Sequence, residues 1–170
     1  MIINSDVGAT ILDNINQTRY EIGKFSYSLS EEILKGEKFF INTKYDQPFS
    51  DKFFFKSAVF NLRDQSYIAK DIKIDFKKDV FGNRENDPRF KGLSSSSKNG
   101  ITTINKGIFT SCKKNDRCPP WSIQADKITY DQNKKQINYD NALVKVYDIP
   151  VLYFPKFFHP GPTVKRQSGF

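Results

Sequence analysis

Apolar and polar residues alternate along this chain in short runs, and polar turn formers close each run. That pattern, more than any motif, restricts the chain to strands. Residues 53–68, FFFKSAVFNLRDQSYI, turn at Arg63-Asp64-Gln65 and lead directly into AKDIKIDF at 69–76. Residues 121–131, WSIQADKITYD, pass through a DQNKK turn into QINYDNALVKVY at 136–147. Ile137 and Tyr139 keep a period of two, as do Ala142, Val144 and Val146. The phase slips at Asp140-Asn141, which predicts a β-bulge.

A weak internal repeat runs through the same segments. Ala69-x-x-Ile72-x-Ile74-Asp75 matches Ala125-x-x-Ile128-x-Tyr130-Asp131, and Ala58-x-Phe60-x-Leu62-x-Asp64 matches Ala142-x-Val144-x-Val146-x-Asp148. Each unit puts a small residue and two larger apolar ones on one face and ends at an Asp suited to a turn. Units that cannot close a core alone stack, as in a β-solenoid or an open jelly roll. Sixteen Phe and eight Tyr against one Met and one Trp strengthen the β reading. The best helical segment, Ser30 to Gly36, has a capping Ser and a terminating Gly with barely one turn between them, so it is expected as a turn, or a single helical turn, between strands. Residues 82–100, GNRENDPRFKGLSSSSKNG, show little alternation and are expected as an ordered-to-flexible loop excursion.

The expected fold class is therefore all-β: stacked antiparallel strands in an open β-jelly roll with an apolar trough. One strand face should line that trough: Phe60, Leu62, Ile72, Ile74, Ile123, Ile128, Tyr130, Ile137, Tyr139, Val144 and Val146. Core packing explains the same face, and pattern alone does not separate the two readings. Burying an acyl chain there contributes about 0.8 kcal/mol per methylene, so several chains would bind well.

Chemistry is sparse. No GxSxG, P-loop, GxGxxG or HExxH occurs, and the single His159 lies between Phe158 and Pro160, so no enzyme is expected. Cys112 and Cys118, spaced C-x5-C, lack the further Cys or His ligands of a zinc site. They allow a small-loop disulfide or two thiols, and no metal or cofactor is expected. The net charge of +8 falls entirely in residues 71–170, which favours an anionic partner such as nucleic acid, acidic lipid or a phosphorylated glycolipid. A basic aromatic module for single-stranded nucleic acid would line one face with both charges and rings. Here they alternate, as in Ile72-Lys73-Ile74, so no nucleic acid is expected. No run reaches the roughly 18–20 apolar residues of a transmembrane helix. The start, MIINSDVGAT, lacks the basic and apolar regions of a signal peptide.

Four segments carry a more specific signal: NDPRFKGLSSSS, GIFTSCK, the stretch from Cys118 to Pro160, and PTVKRQSGF. Within them stand Pro120-Trp121-x-Ile123-x-Ala125 and Ile137-x-Tyr139-x-x-Ala142. Pro150-Val151-x-Tyr153-x-Pro155-x-Phe157-x-His159-Pro160 and Val164-Lys165-Arg166-x-Ser168-Gly169-Phe170 follow in order. Over about residues 86–170 the chain resembles the N-terminal periplasmic domain of the LptD family of lipopolysaccharide-assembly proteins, the organic-solvent-tolerance family. The resemblance implies a β-jelly roll at the periplasmic face of a Gram-negative outer membrane. Such a domain takes lipopolysaccharide from an LptA-like periplasmic bridge protein joined edge to edge. It passes the lipid to an outer-membrane barrel that encloses an LptE-like lipoprotein. That barrel has no counterpart in these residues, and a free bridge protein of the same superfamily should lack PTVKRQSGF.

The resemblance divides the chain into a lipid-binding jelly roll at 1–148 and a hinge or junction at 149–170. Pro150, Pro155, Pro160, Pro162, Lys165, Arg166 and Gly169 would form the junction, with the prolines ending the last strand. An oxidising periplasm favours a Cys112–Cys118 disulfide, although cysteines of this family also pair between the soluble domain and the barrel.

Overall fold

One polar turn, used three times, sets the spacing of the strands. At residues 13–17 the Asp13 carboxylate accepts the backbone N–H groups of Ile15 and Asn16. Asn61 does the same for Arg63 and Asp64, and Asp131 for Asn133 and Lys134. Each turn ends on a residue in the left-handed region, Gln17, Gln65 or Lys135, at φ 51°, 54° and 51°. Side-chain capping of this kind replaces backbone pairing where the chain reverses.

A computed structural model describes residues 1–47, 50–78, 85–114 and 120–160. Twelve strands form one antiparallel sheet, with no helix among the described residues. They are β1 (Ile2–Ser5), β2 (Ala9–Asp13), β3 (Thr18–Ile22), β4 (Lys24–Ser28), β5 (Ile33–Thr43), β6 (Lys52–Asn61) and β7 (Ser66–Asp75), followed by β8 (Arg89–Lys98), β9 (Ile101–Thr110), β10 (Trp121–Asp131), β11 (Gln136–Val146) and β12 (Ile149–Pro160). From β5 onward each strand pairs with the next in sequence. On the other side of β5 the sheet splits: β4 and then β1 continue one half of it, β3 and then β2 the other. Only single residues or short links separate β1 from β2 and β3 from β4. Each pair is thus one long strand broken where the others bend.

The break continues across the whole sheet as a seam. The register skips Lys38 opposite Lys56, Lys56 opposite Asp71, and Asp71 opposite Leu93. It skips Lys106 opposite Asp126, Asp126 opposite Asn141, and Asn141 opposite Pro155 in the same way. On every second strand the seam residue is left-handed: Lys38, Asp71, Lys106 and Asn141 have φ between 48° and 56°. One such residue reverses the inward–outward alternation, so inward residues flanking the seam are three apart rather than two. The sheet folds over along this line into two facing leaves. We call the half holding Gly36, Ala58 and Tyr139 leaf A, and the half holding Phe39, Phe55 and Ala142 leaf B.

Four expectations need correction. The phase slip at Asp140-Asn141 is present, but it is no bulge: Lys127↔Asp140 and Ala125↔Ala142 keep one register on both sides. It is one crossing of the seam, and so is the Ala-x-x-Ile spacing of the internal repeat. The serine-rich segment expected as a loop contains β8, whose inward positions happen to be Phe90, Gly92, Ser95 and Ser97. Small and hydroxylated inward residues conceal alternation from a hydropathy reading. Pro150 and Pro155 do not end the last strand but lie within β12, which pairs with β11; Pro160 is the last residue of that strand. Pro155 sits on the seam, where the ladder is already interrupted and a missing N–H costs no pairing. Ser30 to Gly36, expected as a turn, reaches into β5, so that Gly36 is a strand residue.

A candidate binding trough between two leaves

The inner surface consists of rows of side chains running across the strands. Beside the seam on leaf A the row reads Gly36, Ala58, Ala69, Ser95, Ile104, Ile128, Tyr139 and Phe157. On leaf B it reads Phe39, Phe55, Ile72 and Gly92, then Gly107, Ala125, Ala142 and Phe154. Where one leaf carries small residues the other carries large ones, and the assignment switches at β8, where both Gly92 and Ser95 are small. The interlock is tight: a Cβ on Gly92 would lie 2.4 Å from Ile104 Cγ2, and one on Gly107 2.5 Å from Ile128 Cδ1. Ring contacts join the leaves, with centroids 5.1 Å apart for Phe39 and Phe60 and 5.6 Å for Phe55 and Tyr67.

Burial is complete at the seam and uneven away from it. Ala142, Ile128 and Tyr139 are at most 1% exposed; farther out Phe60, Tyr67, Tyr130 and Val144 are half-buried, while Ile137, Ile74, Phe90, Phe109 and Ile123 stay buried. The interior is therefore a wedge, closed at the seam and partly open at its outer positions. One rim, at the far edge of leaf A, holds the short turns near residues 29–32, 62–65, 99–100 and 132–135. The other, at the edge of leaf B, holds the described ends of the longer connections, residues 44–47, 50–51, 76–78, 85–88 and 111–114.

Nine of the eleven predicted lining residues lie on this inner surface: Phe60, Ile72, Ile74, Ile123, Ile128, Tyr130, Ile137, Tyr139 and Val144. Val146 keeps the inward phase but stands at the end of β11, 41% exposed. Leu62 lies past the end of β6 in the turn, 49% exposed, because the chain leaves the sheet at Asn61. Phe39, Phe53, Phe55, Phe90, Phe109 and Ile104 belong to the surface as well and escaped the sequence reading. In FFFK the run of rings hides which alternate positions face inward: Phe53 and Phe55 do, and Phe54 does not.

Polar groups enter the wedge at two places. Tyr67 Oη lies 3.2 Å from Ser95 Oγ, and Thr102 donates to Ser97 at 3.0 Å, so four hydroxyls satisfy one another on leaf A. Near β12, Tyr139 Oη lies 2.9 Å from His159 Nε2, and His159 Nδ1 lies 2.7 Å from the Pro160 carbonyl. A carbonyl only accepts, so Nδ1 carries the proton and Nε2 accepts from Tyr139. Burial depresses the His159 pKa and raises that of Tyr139, keeping both neutral.

The outer surface is charged. Lys56 pairs with Asp71 at 3.5 Å, and Lys106 and Asn141 both engage Asp126 along the seam. The Lys106 hydrogen bond is the largest influence lowering the Asp126 pKa. Lys73, Lys127 and Lys145 also point away from the wedge, and the outward ring of Phe54 lies with its centroid 5.2 Å from Lys73 Nζ.

Cys112 is half-buried, its Sγ 3.5 Å from the Trp121 carbonyl. Cys118 lies outside the described residues, as do Pro162, Lys165, Arg166 and Gly169. No group of metal-ligating side chains occurs among the described residues.

No family model matches the chain. It is similar to proteins named LPS-assembly protein LptD: 33% identical over 72 residues to one from Pseudomonas savastanoi pv. phaseolicola, 42% of this chain and 8% of that protein. A Pseudomonas fluorescens protein of that name matches at 33% over 72 residues, 42% of this chain and 7% of its own length. One from Yersinia pestis bv. Antiqua matches at 33% over 69 residues, 41% and 8%. The match thus spans less than a tenth of these relatives' length.

Proposed function

We propose that this chain is a lipopolysaccharide-transport domain whose wedge carries acyl chains toward the outer membrane. The observation that carries the reading is a continuous apolar inner surface between two leaves, half-buried at Phe60, Tyr67, Tyr130 and Val144, in a chain similar to LPS-assembly proteins. Nothing catalytic is required: transfer follows from apolar burial, at about 0.8 kcal/mol per methylene. Residues 1–148 act as the binding domain and 149–170 as the link to a barrel that holds a lipoprotein partner. The open edges at β1, β2 and β12 suit edge-to-edge joining to a bridge protein of similar architecture. The periplasmic face of the outer membrane is the site of action.

Charge placement favours this reading over nucleic-acid binding. A strand-binding groove needs cations and stacking rings on one surface, and here most rings line the inner surface while the lysines face out, Phe54 beside Lys73 being an exception.

Photo-crosslinking residues at Phe60, Ile128 and Tyr130 should capture lipopolysaccharide in cells, whereas Lys127 and Lys145 should not. Capture confined to the two outward positions would refute the trough.

A further inference from the structure

The two leaves differ on their outsides. Outward positions alternate with inward ones, so each leaf presents rows of side chains to the exterior. Over β5–β11 the outward rows of leaf B carry Lys52, Lys73, Arg89, Lys91 and Lys145 against a single acid, Asp75. The outward rows of leaf A carry Lys35, Lys70, Lys98 and Lys127 against Glu37, Asp131 and Asp140. Five cations against one acid, beside four against three, put the surplus charge on leaf B. Even Asp75 is engaged already, by Lys114 at 2.9 Å and Lys73 at 3.7 Å.

Lys73 and Lys91 are direct register partners, a like-charge juxtaposition that works against the sheet. Lys91 makes no ion pair among the described residues. Apolar side chains stand beside these lysines. Leu93 on the seam is 61% exposed, and Ile108, the register partner of Lys91, is 39% exposed. Together with Lys106 they frame an open depression of about 410 Å³. The same row begins at the adjoining rings of Phe40 and Phe54 and ends at Leu143 and Tyr153.

Cations and apolar groups interleaved over one broad face match a partner that is itself layered, with anionic headgroups above hydrocarbon. Lysine stems and Tyr rings bury their apolar parts there while their polar ends stay at headgroup level. A soluble anion would engage the lysines but leave Leu93 and Ile108 in water. We infer that the outer face of leaf B rests on an anionic phospholipid surface. This goes beyond the transport reading, which concerns the inside of the sheet.

Co-sedimentation of the folded chain with phosphatidylcholine vesicles, with and without phosphatidylglycerol, tests the contact. Binding should require phosphatidylglycerol and weaken with added salt. Lys73→Gln/Lys91→Gln should weaken it about thirtyfold, the worth of two lysines near an anionic surface. Leu93→Ser/Ile108→Ser, on exposed side chains, should weaken it about tenfold and decides the matter if the lysine variant does not fold. Lys35→Gln/Lys70→Gln removes the same charge from leaf A and should leave binding nearly unchanged. Equal losses from the two lysine pairs, or an unaltered Leu93/Ile108 variant, would overturn the assignment. So would equal binding to neutral vesicles, which would place the contact at the wedge. An oligothymidylate bound as tightly as the anionic vesicles would make the face a general polyanion surface and overturn it too. Capture at Ile128 tests the trough, so the two readings stand or fall separately.

Discussion

Strands β5–β7 and strands β9–β11 close the same seam with opposite choices of residue. In β5–β7 the small side chains Gly36, Ala58 and Ala69 stand on leaf A beneath Phe39, Phe55 and Ile72 of leaf B. In β9–β11 the order inverts: Ile104, Ile128 and Tyr139 rise from leaf A over Gly107, Ala125 and Ala142. Neither leaf is therefore the large-residue leaf. On both sets of strands the crossings are complementary, since two large residues would hold the leaves apart and two small ones would leave a void; the edge strand β12 carries two rings, Phe157 and Phe154. The exchange happens at β8, the one strand small on both sides, where Ile104 from the next strand fills the gap above Gly92. The aromatic half relies on ring contacts between leaves, and the aliphatic half on close approach to glycine and alanine.

Four measurements would break or sharpen this comparison. The largest effect is expected for Tyr139→Ala, which removes the largest fully buried side chain from the second half and the hydroxyl that donates to His159 Nε2. Chemical denaturation should show a loss of about 3–5 kcal/mol; a loss near that of a surface change would mean the leaves do not bear on one another there. Ala142→Ile, at a position 0% exposed, should cost about 1–3 kcal/mol by overpacking. Combined with Tyr139→Ala it should cost less than the two single changes together, because the added volume faces the vacated one. Strictly additive losses would deny the interlock.

The seam itself is tested by Lys106→Val, which forces a β-branched residue into φ 50° and should cost about 1–2 kcal/mol, whereas Lys106→Gly should be nearly neutral. Equal melting temperatures for the two would show that the left-handed residue is incidental.

The smallest effect is a pH dependence at the β11–β12 end. Burial lowers the His159 pKa in the folded chain, so the unfolded chain binds the proton more readily. The stability it contributes is complete above the ordinary His value of about 6.5 and is lost as pH falls through the lower folded value. Denaturant midpoints should drop between about pH 7.5 and about pH 5.5, and His159→Gln, which still offers Tyr139 an acceptor, should flatten that drop. A slope unchanged in the variant would assign it to other groups.

How much of this could be read from the chain beforehand follows the same physics. Alternation in Ile72-Lys73-Ile74 and Ile137-x-Tyr139 identified both the strands and which side faces inward. The Ala-x-x-Ile repeat recorded seam crossings, although its spacing of three was legible only as a broken period. The prolines of β12 looked like terminators because Pro is normally excluded from a paired strand. Pro155 is tolerated because it meets the one line where pairing lapses, and no single strand reveals that line. The contacts of Lys114 with Asp75 and Asp87 were invisible for a related reason: the three come from separated stretches, each of which alone reads as an ordinary charged strand end.

Residue order by itself determined the all-β class, the turn positions and the apolar face, because those depend on neighbours two to five residues apart. The tertiary structure alone decided the fold along the seam, the inversion of small and large residues between the two halves, and the gathering of cations on the outer face of leaf B. Those depend on register across ten or more residues of separate strands, and register is fixed by what packs against what.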